Sequence, residues 1–156
     1  MNNRIMIICI LALTMLGSIL PATAQAQDDI REHRSCSQCG MDRKAYGFSR
    51  MLIIYRDGGK SGVCSLHCAV NETGSNKGRE IASLLVADRN SRELINAEKA
   101  FWVMGGKKRG VMTPLAKWAF AREQDAQEFV KNYGGELATF DNAMKSAREE
   151  VPEMAK

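Results

Sequence analysis

Arg50-Met-Leu-Ile-Ile-Tyr-Arg-Asp-Gly-Gly-Lys-Ser-Gly-Val-Cys-Ser-Leu-His-Cys68 is the stretch whose reading decides the fold. Its first seven residues, Arg50 to Arg56, are rich in β-branched and aromatic side chains, the composition of a strand. Asp57-Gly58-Gly59 is a hairpin turn signal, because such turns need positive φ and glycine adopts it at no steric cost. Lys60 to Val63 then reads as the returning strand. Cys64 ends that strand, and Ser65 is placed to cap a helix from Leu66 to about Asn71. Cys68 falls in the first turn of that helix, where the helix dipole favours a thiolate. His67 points about 100° away from Cys68, so the two need not face one ion.

Downstream the same order returns. Residues 72–78 are a polar loop and the best internal boundary. Glu80 to Asp88 is apolar in its later half without alternation, which predicts a buried strand. A turn at Arg89-Asn90-Ser91 leads to a short strand, Glu93 to Ile95. Glu98 to Val103 ends in Phe101-Trp102-Val103 and reads as an aromatic strand. Gly105 to Gly110 is a glycine-bounded loop whose Lys107-Lys108-Arg109 cluster reads as solvated. Lys117 to Ala121 is a further strand. Glu123 to Asn132 is an amphipathic helix with Ala126, Phe129, Val130 and Tyr133 on one side, closed by Gly134-Gly135. Phe140 to Glu149 is helical, and residues 141–156 form a C-terminal helical tail that frays from Glu150. Trp102 and Trp118 are core aromatics. The order of elements predicts an α+β protein with short helices. A hairpin followed by a helix in each half is the pattern of a degenerate duplication.

A chain of 156 residues holds one domain or two very small ones, and its formal net charge of +4 is spread along it, giving no case for nucleic acid. The N-terminus reads as an export signal over residues 1–26. Arg4 supplies the positive n-region, Ile5 to Leu20 the apolar run, and Ala24-Gln25-Ala26 a small-x-small cleavage site. The run is short for a membrane span. Cys9 lies inside it and is poorly placed for a lipoprotein signal. The mature chain would start at Gln27, and the polar, charged residues 27–35 read as a flexible N-terminus. These features predict a periplasmic protein whose contact with membrane is no more than peripheral.

Removing the signal leaves the pairs Cys36/Cys39 and Cys64/Cys68. Cys36-Ser-Gln-Cys39-Gly40-Met41 puts two thiols and a thioether within six residues. Such soft donors select copper(I), zinc or an iron–sulfur cluster. Gly40 permits a knuckle-like turn in which backbone amides face the sulfurs. Spacing alone leaves structural disulfides, a four-thiolate zinc site and a copper(I) site all open. A thiol–disulfide oxidoreductase is disfavoured, because Gly40 and the strand beyond it argue against a helix start at Cys39. No serine–histidine–acid set, phosphate-cradling loop or paired catalytic carboxylates stands out. His33, three residues before Cys36, and His67 are further candidate ligands.

In order and spacing the chain resembles the NosL family of copper-binding accessory proteins for nitrous oxide reductase. The residues that carry the resemblance are Cys39-Gly40-Met41, the strand-turn-strand through Asp57-Gly58, Val86-Ala87-Asp88, Ile95-Asn-Ala-Glu98-Lys-Ala100, Thr113-Pro114, Ala119-Phe120 and Gly134-Gly135. The family often has methionine after Thr-Pro, where this chain has Leu115, with Met112 just before Thr113. The resemblance implies a NosL-like metal-binding domain over residues 36–140. It implies two small ββα-type units, similar to the core of the organomercurial lyase MerB, with mixed or antiparallel sheets. It implies a periplasmic metallochaperone, not an enzyme, that hands copper(I) to a client copper enzyme such as nitrous oxide reductase. On that reading Cys36, Cys39 and Met41 are the primary ligands, Cys64 and Cys68 either join them or form a structural pair, His67 is a further candidate ligand, and Met112 or Met104 completes the set. The alternative is a structural zinc-binding interaction module using all four cysteines.

Overall fold

The hairpin forms where its chemistry requires. In the computed structural model, which describes residues 28–151, strand β1 (Met51–Tyr55) pairs antiparallel with β2 (Lys60–Val63), Met51 opposite Val63. Gly58 turns the chain at φ 84°. A helix, Leu66–Ser75, follows, capped by the Ser65 hydroxyl, which accepts the Cys68 amide. Strand β3 (Ile81–Ala87) then pairs on the other side of β1, and β4 (Leu94–Asn96) pairs with β3. All neighbours are antiparallel in the order β2-β1-β3-β4. β1 is central, and Met51 and Ile53 are fully buried.

The second sheet repeats the path. β5 (Phe101–Met104) pairs with β6 (Lys117–Phe120), a helix spans Glu123–Tyr133, and β7 (Glu136–Ala138) returns beside β5. Its order is β6-β5-β7, the arrangement of β2-β1-β3. The duplication is therefore visible in topology: hairpin, helix, then a strand back against the first. One face of this sheet, Val103, Trp118 and Phe120, packs on Ala126 and Phe129 of the Glu123–Tyr133 helix. The other face presents Trp102 and Met104 to a larger core shared with the first unit. The last helix, Phe140–Glu150, seals that core with Ala143 and Ala147, both fully buried. The fold is thus α+β with two small antiparallel sheets and short helices, as expected from the order of elements.

Four local readings change. The segment expected to be flexible contains a helix, α1 (Asp28–Glu32), whose Asp29 is buried. Asp29 accepts hydrogen bonds from Arg43 Nη2 at 2.7 Å and from Arg50 Nε and Nη2 at 3.0 and 2.9 Å. Charges that look solvated in sequence are here paired inside the protein. The helix after Ser65 (α2, Leu66–Ser75) runs through Glu72 to Ser75, which had read as a loop. Buried Glu72 and the Thr73 hydroxyl, bonded back to the Ala69 and Val70 carbonyls, extend it. The aromatic strand starts at Phe101, because the Asn96 side chain accepts the Glu98 and Lys99 amides and holds a turn there. Strand β7, only three residues long, follows the glycine pair that ends α3 (Glu123–Tyr133) and had no sequence signal. The Phe140–Glu150 helix is α4. The signal peptide over 1–26, its cleavage site and Cys9 lie outside the described residues. No described helix is long and apolar enough to cross a membrane.

Candidate metal centre

The Cys36–Met41 segment is a closed knuckle. The Cys36 amide donates to the Met41 carbonyl at 2.8 Å, and the Gly40 amide to the Cys36 carbonyl at 2.9 Å. Gly40 sits at φ 75°, the conformation that closes the turn. The Ser37 amide donates to the Gly62 carbonyl at 3.0 Å, which moors the knuckle to β2. The Gln38 and Cys39 amides point at the Cys36 sulfur and favour its ionised form. Cys64 is presented by the end of β2, where the Ser49 hydroxyl donates to its carbonyl at 2.9 Å. Cys68 lies one turn further on α2.

These local devices converge. The sulfurs of Cys36, Cys39, Cys64 and Cys68 all lie within 4.8 Å of one another. Cys64 is central, 3.5 Å from Cys39 and 3.6 Å from Cys68. All four thiols are free; Cys36, Cys64 and Cys68 are buried and Cys39 is partly exposed. A zinc–sulfur bond of about 2.3 Å implies a tetrahedral edge of roughly 3.8 Å, close to these separations. The cluster is therefore already spaced as a soft-ion cage.

Its charge is unevenly held. The Cys36 thiol is held far below its usual range by hydrogen bonds from the Cys64 and Cys68 thiols, which outweigh its burial. The hydrogen bond to Cys36 is also what pushes Cys64 up to about 12. Cys68 is pushed up for the same reason, reinforced by Cys64 and by burial. The sequence placed the favoured thiolate on Cys68, at the start of α2. In the structure the thiol favoured as thiolate is Cys36, because the Cys64 and Cys68 thiols donate to it, while Cys68 is pushed up.

The remaining candidate ligands sit differently. Met41 ends the knuckle and is half-buried against the core that contains Cys36, Cys64 and Cys68. His67 is half-buried on α2, its Nδ1 is buried without a hydrogen-bond partner, and it stands outside the four-sulfur group. His33 lies outside it too, with Nε2 3.8 Å from Glu32. Met104 is a core residue of β5, 9% exposed. Met112 is 46% exposed, in a loop at φ 58°. The knuckle is not the start of a helix, so the Cys36/Cys39 pair lacks the setting of a dithiol oxidoreductase. Sequence reasoning passed over Glu72 and Arg43, both buried. The Arg43 Nε donates to the Val63 carbonyl, one residue before Cys64. Neither signals a site in sequence, since both lie in polar stretches.

A family model described as NosL matches residues 27–147. Among solved structures, the copper chaperone NosL from Shewanella denitrificans superposes with a TM-score of 0.56. It is 23% identical, and the match covers 78% of this chain and 95% of that one. That likeness is one of fold. No curated protein sequence matches the chain significantly.

Proposed function

The chain belongs to the NosL family, and on that premise we propose that it is a periplasmic carrier that takes up copper(I) and passes it to a client copper enzyme. The observation that carries this reading is the cluster of four free sulfurs within 4.8 Å, three buried and one partly exposed. Thiolates are the ligands that select copper(I). Carriage needs a donor set that grips and then yields. Cys36 holds a ready negative charge, while Cys64 and Cys68 keep their protons until an ion displaces them. Cys39, the least buried of the four, is where an incoming ligand from the client would enter. Met41, a neutral thioether beside the knuckle, is a weak donor suited to exchange. The export signal over 1–26 supports the periplasmic setting, and nitrous oxide reductase is the client that the family resemblance favours.

Titration of the reduced mature chain with copper(I) against a chromogenic chelator tests this. Uptake that disappears after cysteine alkylation supports the carrier, and no uptake overturns it. One observation favours a second reading: four sulfurs gathered within 4.8 Å also suit a structural four-thiolate zinc site. Elemental analysis of chain purified from the periplasm separates the two, since stable stoichiometric zinc that copper(I) does not displace belongs to the structural module.

A further inference from the structure

Glu72 is a carboxylate 5% exposed on α2, one turn beyond Cys68. A buried carboxylate must find donors or lose several kcal/mol of hydration. Glu72 finds four of them, on three different pieces of the site. Its Oε2 accepts the Ser37 hydroxyl at 2.8 Å and also the Gln38 side-chain amide. Its Oε1 accepts the Ser61 hydroxyl of β2 at 2.7 Å and the Asn76 side-chain amide at 3.2 Å. Ser37 and Gln38 are the two residues between Cys36 and Cys39. One oxygen is thus given to the knuckle and the other to the sheet and helix that carry Cys64 and Cys68.

We propose that Glu72 is the positioning residue of the sulfur cluster, which sets the Cys36/Cys39 knuckle against the Cys64/Cys68 pair through Ser37 and Gln38. Local backbone bonds shape each cysteine pair separately. The Ser37 amide bond to Gly62 ties the knuckle's backbone to β2. The Glu72 carboxylate adds two more contacts on the adjacent residues, which fixes its tilt. The claim rests on the metal-carrier reading of the four sulfurs. Groups that orient ligands in this way are worth about 10–100-fold in metal affinity.

The test uses the reduced mature chain with four variants: E72A, E72Q, the double variant S37A/Q38A, and the triple variant combining E72A with the double. Two probes are read, copper(I) affinity by chelator competition and the ligand-field spectrum of added cobalt(II), which reports tetrahedral thiolate coordination. E72A and S37A/Q38A should each weaken copper(I) by about tenfold or more and broaden or shift the cobalt bands. The triple variant should be no weaker than E72A, since all act through the same bonds. E72Q, which keeps one acceptor oxygen, should recover part of the loss. If E72A does not fold, S37A/Q38A carries the test, because it leaves Glu72 bonded to Ser61 and Asn76. Wild-type affinity and spectrum in S37A/Q38A would overturn the positioning role. A wild-type chain that takes up neither ion overturns the metal reading itself, and the positioning role with it.

Discussion

Replacing Asp29 by asparagine should destabilise the fold that holds the site, from a distance. Asp29 bridges two guanidiniums that are themselves buried, Arg43 at 0% and Arg50 at 1% exposure. The substitution keeps the shape and removes the charge. It also sets an amide N–H₂ against guanidinium donors, losing bonds of 2.7 to 3.0 Å. Breaking a buried ion pair in this way costs about 3–5 kcal/mol. A small domain has about 5–15 kcal/mol in all. With a urea slope of roughly 2 kcal/mol per molar, a loss of about 4 kcal/mol lowers the midpoint by about 2 M. The effect reaches the sulfurs because Arg43 also bonds the His33, Met51 and Val63 carbonyls. pH gives a second handle. Burial raises the Asp29 carboxyl, but the Arg50 hydrogen bond and the charges of both arginines hold it below its ordinary 3.8. A depressed folded value means stability that is present above about 3.8 and lost as pH falls through the lower folded value. The variant should lose that part of the acid transition. Urea melts of the reduced mature chain check both. E80A, which removes the exposed Arg56–Glu80 pair, serves as the control and should leave the midpoint in place. A D29N midpoint within about 0.5 M of wild type would refute the account of this network.

On the ligand set proposed above, C39S should lower copper(I) affinity by roughly tenfold or more in a chelator competition, since loss of a direct ligand costs at least what loss of its orienting partner does. In the reduced, metal-free chain, one thiolate's worth of ultraviolet absorbance should be present well below the ordinary thiol value of 9.0, and Cys64 should ionise only near about 12. Cys36, Cys64 and Cys68 titrating together near 9.0 would contradict the charge placement. G106A should cost about 1–3 kcal/mol, because Gly106 holds φ 88° and an added Cβ would meet the Gly134 and Tyr133 carbonyls at 2.7 and 2.9 Å. A melting temperature unchanged from wild type would show that this loop yields.

Much of the fold was legible because its signals are local. The β-branched run at Met51–Tyr55, the glycine turn after it and the Ser65 cap each declare themselves within a few residues. So did the amphipathic helix before Gly134. What escaped depends on distant partners. Asp29 reads as solvated until Arg43 and Arg50, 14 and 21 residues away, are brought to it. Glu72 reads as a loop residue until Ser37, 35 residues back, is laid over it. At the site, the sequence named the four cysteines but could not say that all four converge. That follows from the knuckle docking on Gly62 of β2, a tertiary contact. The location of the thiolate was hidden for the same reason, since it is decided by which sulfurs touch.

X-ray absorption at the copper edge of the reduced, copper(I)-loaded mature chain tests the central claim most directly. A shell made of sulfur alone, lost in a chain whose four cysteines are alkylated beforehand, is the predicted result. A shell dominated by nitrogen or oxygen, or copper that survives alkylation, would contradict it.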